Sequence, residues 1–106
     1  MDLPAYLEAV RALARDADQV VQDLRLRKGQ WALNVHAYAL PGYEAFLQRY
    51  YRDPRPRVAA IAMNPGKNGA VQTGIPFTDW PRGLELVPDL AERVDRAAAA
   101  GRGARW

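Results

Sequence analysis

The apolar positions at the start of the chain recur at steps of three and four. Leu3, Tyr6, Leu7, Val10, Leu13, Ala14, Ala17, Val20, Val21 and Leu24 form one stripe, with charged residues between them. That spacing predicts a single amphipathic helix. Asp2 is placed to cap it, Pro4 is tolerated in its first turn, and Lys28-Gly29 is expected to end it. Residues 31–35 read as a short extended stretch and Pro41-Gly42 as a turn. Tyr43, Phe46, Leu47 and Tyr50 mark a second short helix, which Asp53-Pro54-Arg55-Pro56 breaks.

Residues 58–63 (Val58, Ala59, Ala60, Ile61, Ala62, Met63) are an uninterrupted apolar run. Its length and flanks suit a strand buried on both faces, as in a parallel sheet. The stretch from Asn64 to Asp79 is loop-like, with Gly66, Gly69, Gly74 and two prolines. A long irregular segment in a small domain is more often functional than idle. Asp79 is placed to cap a helix starting at Trp80-Pro81. Residues 88–100 read as helical. Residues 95–106 hold almost no large apolar side chain before Trp106, and are expected to be a disordered or aberrant tail.

At 106 residues and 11.8 kDa the chain makes one domain, with room for one core. The hydrophobic share is 49% and the charged share 25%, which argues against global disorder. There is no cysteine, so disulfides, thiolate metal sites and thiol nucleophiles are excluded. One histidine excludes motifs that need two. A net charge of +3 permits a nucleic-acid partner without requiring one. Asp2 and Pro4 stand where a signal peptide would be basic, and no apolar run is long enough to span a bilayer, so a cytoplasmic location is expected.

The loop leaves the C-terminal end of the expected strand, where ligands bind in open α/β sheets. Neither the phosphate-loop frame nor the dinucleotide fingerprint is present. Met63-Asn64-Pro65-Gly66, Gly69, Gln72-Thr73-Gly74 and Pro76-Phe77 resemble, without gaps, the first active-site motif of the single-strand-selective monofunctional uracil-DNA glycosylases, the SMUG branch of the uracil-DNA glycosylase superfamily. Upstream, Asn34-Val35-His36-Ala37-Tyr38-Ala39 is similar to the family's N-P-x-x-Y-A segment. The resemblance runs from about Asn34 to Asp79. Lys67 and Asn68 replace the family's proline and phenylalanine, and Thr78-Asp79 replaces its glycine–acid end.

The resemblance implies an α/β uracil-DNA glycosylase-like fold, a parallel sheet flanked by helices, incomplete in this chain. It implies hydrolysis of the N-glycosidic bond of uracil or oxidised pyrimidines in DNA, in base-excision repair. Asn64 would hold the attacking water, a catalysis by positioning. The Met63 main-chain N–H would meet a uracil carbonyl where charge grows. Phe77 would stack on the extruded base, and Gly66 would leave room beside C5. Lys67, Gln72 and Thr73 are candidate DNA contacts; Lys67 and Arg82 fit a phosphate contact and a solvated surface equally well. No metal or cofactor is implied. In a bacterium the protein would be nucleoid-associated.

The family also uses a later asparagine to read the base edge and a histidine near its C-terminus. No asparagine follows Asn68 here and no histidine follows His36. The alternative expectation is therefore a truncated, inactive remnant that binds nucleic acid weakly. Such a chain would fold marginally and self-associate through an open sheet edge. His36 reads as structural, and Tyr38, Tyr43 and Tyr50 as packing residues. Arg25, Arg27 and Lys28 read as a solvated helix end.

Overall fold

A computed structural model describes residues 2–30, 32–51, 65–66 and 68–101. The first helix, α1 (Leu3–Asp23), begins where the pattern places it. The Asp2 carboxylate accepts from the Ala5 amide at 2.9 Å. Leu7 and Val10 are buried against Leu47, with Tyr6, Tyr43, Phe46 and Tyr51 around them. Each such aliphatic side chain contributes about 1.5–3 kcal/mol on burial. Arg11 clamps this face to the second helix, its Nε 2.8 Å and Nη2 3.3 Å from the two Glu44 oxygens.

The far half of α1 has no such cover. Leu13, Val20 and Leu24 are 58%, 59% and 47% exposed, and the helix stops at Leu24 rather than at Lys28-Gly29. Gly29, at φ +84°, instead serves a tight turn closed by the Gln30 amide on the Arg27 carbonyl at 3.0 Å.

The second helix, α2 (His36–Tyr50), starts seven residues before the expected one and runs through Pro41. Its entry is fixed by Asn34, which is buried. The Asn34 amide donates to the Ala14 carbonyl of α1 at 2.9 Å, and its oxygen accepts from the His36 amide at 3.1 Å. With this start secured, Pro41-Gly42 is helix rather than turn. Gly42 is needed for packing: a Cβ there would lie 2.7 Å from both Leu90 and Val94.

Four short helices follow: α3 (Ala70–Thr73), α4 (Trp80–Leu86), α5 (Leu90–Arg93) and α6 (Arg96–Gly101). Asp79 caps α4, accepting from the Arg82 amide at 2.9 Å. The segment expected as one helix over 88–100 is divided at Val94 and Asp95, and the Asp95 amide reaches the Tyr38 carbonyl of α2 at 3.2 Å. Tyr38, Ala39, Ala45, Ile75, Val87, Leu90 and Val94 form the second core cluster.

The expected α/β class is corrected. The described residues are helical and contain no strand. A parallel sheet requires paired strands joined by crossovers, whereas here α2 packs on α1, α3, α5 and α6, and α3 packs on α4. The run 58–63 itself lies outside the described residues. With no described strand, there is no described sheet edge for self-association. Part of the expected tail, residues 96–101, is α6. Among the described residues no helix is long and apolar enough to cross a membrane.

Candidate functional site

The glycine-rich loop is a wound structure. The Gly66 carbonyl accepts from the amides of Gly69 and Val71, both at 3.1 Å, and the Gly69 carbonyl from Gln72 at 2.9 Å. These bonds lead into α3, which ends at Gly74 with φ +73°. Thr73 then organises the return. Its hydroxyl accepts from the Ile75 amide at 3.1 Å and donates to the Thr78 carbonyl at 2.9 Å. The Thr78 hydroxyl in turn donates to the Pro76 carbonyl at 2.9 Å.

This tight return pushes Phe77 outward. It holds φ +57°, in the left-handed region that costs a residue with a side chain roughly 1–2 kcal/mol. The residue is 74% exposed. A strained, exposed aromatic is an unusual outcome of folding alone, and such strain clusters at functional sites.

Two contacts tie this loop to α2. The buried Tyr38 hydroxyl donates to the Val71 carbonyl. Burial pushes the Tyr38 phenol up to about 12, so it stays a donor at neutral pH. Gly74 meets Ala39, and a Cβ on Gly74 would fall 2.6 Å from the Ala39 Cβ and 3.0 Å from its carbonyl oxygen. Tyr38 and Ala39 of the upstream segment are therefore packed on Val71 and Gly74 of the loop.

Between the loop and the first two helices lies a cleft of about 700 Å³. Tyr6, Val10 and Leu13 of α1 form one wall, and His36 and Tyr43 of α2 continue it. Pro65, Gly66, Pro76 and Phe77 face them from the loop. The Tyr6 and Tyr43 hydroxyls pair at 3.2 Å. Burial, reinforced by that bond, raises the Tyr43 phenol above its ordinary value. His36 stacks on Tyr43 with ring centres 5.8 Å apart. Its Nδ1 is shut from solvent and has no hydrogen-bond partner, and burial lowers its pKa below 6.5. None of the described lining residues is Lys or Arg, and Asp79 brings a carboxylate to the rim. The lining suits a neutral planar ring better than a phosphate.

Of the site residues expected from sequence, Gly66 and Phe77 line this cleft. Asn64, Met63 and Lys67 lie outside the described residues. Gln72 is half-buried on α3 and is not among the residues that line the cleft. Thr73 is fully buried and its hydroxyl holds the loop, which gives it a structural place rather than a phosphate-facing one. His36 was read as structural, yet it lines the cleft. Its position inside the segment similar to N-P-x-x-Y-A is the signal that could have drawn attention to it. Tyr6, Val10 and Leu13 carry no motif, and only the tertiary structure brings them to the site. Among the described residues no three His, Asp or Glu side chains gather as a metal site would require.

No protein-family model matches the chain, and no curated protein or solved structure matches it.

Proposed function

We propose that the cleft is a pyrimidine pocket of the single-strand-selective uracil-DNA glycosylase kind, serving uracil or oxidised pyrimidines in DNA. The observation that carries this reading is the pairing of the two similar segments. Tyr38 and Ala39 from one hold Val71 and Gly74 from the other, across more than thirty residues of sequence. The reading rests on this pairing and on the motif. It does not rest on a sheet, which the described residues do not form.

The roles follow from chemistry. Phe77 stacks on the base, using an exposed ring already set at the cleft mouth. Gly66 leaves C5 free, since nothing lies within 4 Å of where its Cβ would be. In the complete reaction that the motif implies, Asn64 would hold the attacking water. The water oxygen bonds to C1′ as the C1′–N1 bond breaks, the electron pair leaves on uracil, and the water's proton is lost to solvent. An abasic sugar and free uracil result. The base-edge asparagine and the C-terminal-motif histidine of the family have no counterpart in order within these 106 residues. By themselves these residues therefore bind the base without turning it over.

Binding and release are tested separately. Single-stranded oligonucleotides carrying one uracil or one cytosine at the same position are titrated against the chain. Tighter binding of the uracil strand, reduced by Phe77→Ala, is expected; base–aromatic stacking is worth about 1–3 kcal/mol. Equal affinity for both strands contradicts the pocket. For release, a labelled uracil strand is incubated with the chain and cut with alkali at abasic sites. No cut product is expected. Product that disappears with Asn64→Ala would show turnover by these residues alone.

A further inference from the structure

The fold pairs its cations one by one and leaves three together. Arg11 meets Glu44 at 2.8 Å, Arg15 meets Glu8 at 3.5 Å, and Arg82 and Arg93 meet Glu85 and Asp89 at 2.6 Å each. Arg96 lies over the Trp80 ring at 4.5 Å, and Arg49 sits in the field of Asp89. Among the described residues, Arg25, Arg27 and Lys28 are the cations left without a partner of this kind, and all three are exposed. The last turn of α1, where the helix dipole holds cations, has no basic residue; the three stand past it. Their backbone is nevertheless fixed. The Gln30 amide donates to the Arg27 carbonyl, and the Arg27 amide to the Gln30 side-chain oxygen, both at 3.0 Å.

We infer that this basic turn, residues 25–28, binds the phosphate backbone of a single DNA strand whose base enters the cleft. The inference takes its kind of partner from the pyrimidine reading above. The turn supplies the charge that the cleft lacks, since none of the described lining residues is Lys or Arg. Leu13 lines the cleft, and Val20 and Leu24 follow it seven and eleven residues on, along the same face of α1. All three are exposed. The turn therefore lies at the far end of the cleft's own face of the helix. From Leu13 to Asp23 the helix rises about 15 Å, the span of roughly four phosphates at 3.4 Å each along one strand. The acids of α1 constrain the path. By helical spacing Asp16 and Asp23 lie on one edge of the exposed stripe, with Asp18 on the other side. Asp23 and Asp18 accept from Gln19 and Gln22, both at 3.0 Å. A narrow polyanion can keep to the side away from Asp16 and Asp23 and meet the turn, where three cations outweigh Asp23. An anionic membrane would lie flat on the whole face and press both acids against its headgroups, so the acids favour a strand over a lipid surface.

The test separates backbone from base. Three ligands are titrated against the full chain at 50 and 200 mM salt: a 15-nucleotide single strand carrying one uracil, the same strand carrying cytosine there, and free 2′-deoxyuridine, which has no phosphate. The same titrations are made with the triple variant Arg25→Gln, Arg27→Gln, Lys28→Gln. Each phosphate neutralised on a single strand contributes about 0.7 to the salt slope, so three contribute about 2. The triple variant is expected to lose that much slope on both strands, and its deficit in affinity to shrink about twentyfold from the lower to the higher salt. Deoxyuridine binding is expected to be unchanged, which also reports that the variant is folded. Arg25→Lys with Arg27→Lys keeps the charges and is expected to keep strand affinity. The inference is overturned if the triple variant binds both strands with the wild-type slope, or if the wild type binds neither strand while deoxyuridine binds. It is also overturned if the triple variant loses binding to phosphatidylserine–phosphatidylcholine vesicles but not to the strands. If deoxyuridine fails to bind the wild type while the triple variant still weakens both strands, the pocket fails and the phosphate contact stands.

Discussion

Gly74→Ala probes the contact on which the site depends. The new Cβ would lie 2.6 Å from the Ala39 Cβ and 3.0 Å from the Ala39 carbonyl oxygen, at a backbone φ of +73°. The left-handed conformation costs an L-residue roughly 1–2 kcal/mol, and forcing a methyl into a filled space costs about 1–3 kcal/mol. The neighbour cannot yield easily, because Ala39 is fully buried in the first turn of α2. The sum, about 2–5 kcal/mol, is a large part of the ~5–15 kcal/mol that holds a typical domain together. For a chain of this length that corresponds to a fall in melting temperature of at least about 10 °C. Thermal unfolding followed by far-ultraviolet circular dichroism reads it directly. Ala39→Gly in the same chain removes the Cβ–Cβ clash but neither the φ strain nor the carbonyl contact. The double variant should therefore recover part of the loss, as a coupling between the two sites. A Gly74→Ala protein that melts with the wild type would refute the packing of loop on α2.

Tyr38→Phe leaves the Val71 carbonyl buried and unpaired, and should lower stability by about 1–3 kcal/mol in urea unfolding. Asn34→Ala removes both the bond to Ala14 and the cap on His36; hydrogen exchange should show the first turn of α2 opening before its centre, at a cost of about 1–3 kcal/mol. Acid should weaken the fold through His36: its folded pKa is depressed below the ordinary 6.5 by burial, so the unfolded chain takes up a proton first and stability falls as pH drops below about 6.5. His36→Phe should flatten that slope in pH-dependent unfolding. Gly66→Tyr should leave the melting temperature unchanged, because nothing lies within 4 Å of its Cβ position. It should weaken 5-hydroxymethyluracil more than uracil in competition titrations.

The parts of the fold governed by local signals were legible in the sequence. The α1 stripe and its Asp2 cap appear as read, as does the Asp79 cap on α4, because capping and helical periodicity are decided within a few residues. Tertiary context decided the rest. Pro41 is tolerated inside α2 because Asn34 anchors the helix start and Gly42 admits Leu90 and Val94. The last turns of α1 carry the right spacing yet have no surface to pack on, so the helix ends before Gly29. The parallel sheet was inferred from one apolar run and a family likeness, and a single run does not specify its partners. Gly66 and Phe77, singled out by the motif, do line the cleft. His36 and the α1 wall were not legible, since a lone histidine and ordinary core residues acquire meaning only from what faces them.

The central claim is that the loop and the first two helices enclose a pyrimidine pocket. Mapping amide and aromatic chemical shifts of the full chain during a titration with free uracil tests it most directly. The account predicts saturable shifts at Gly66, Phe77, His36 and Tyr43, with the exposed end of α1 at Val20 and Leu24 unmoved. Shifts that fail to saturate at millimolar uracil, or that fall outside the cleft, would contradict it.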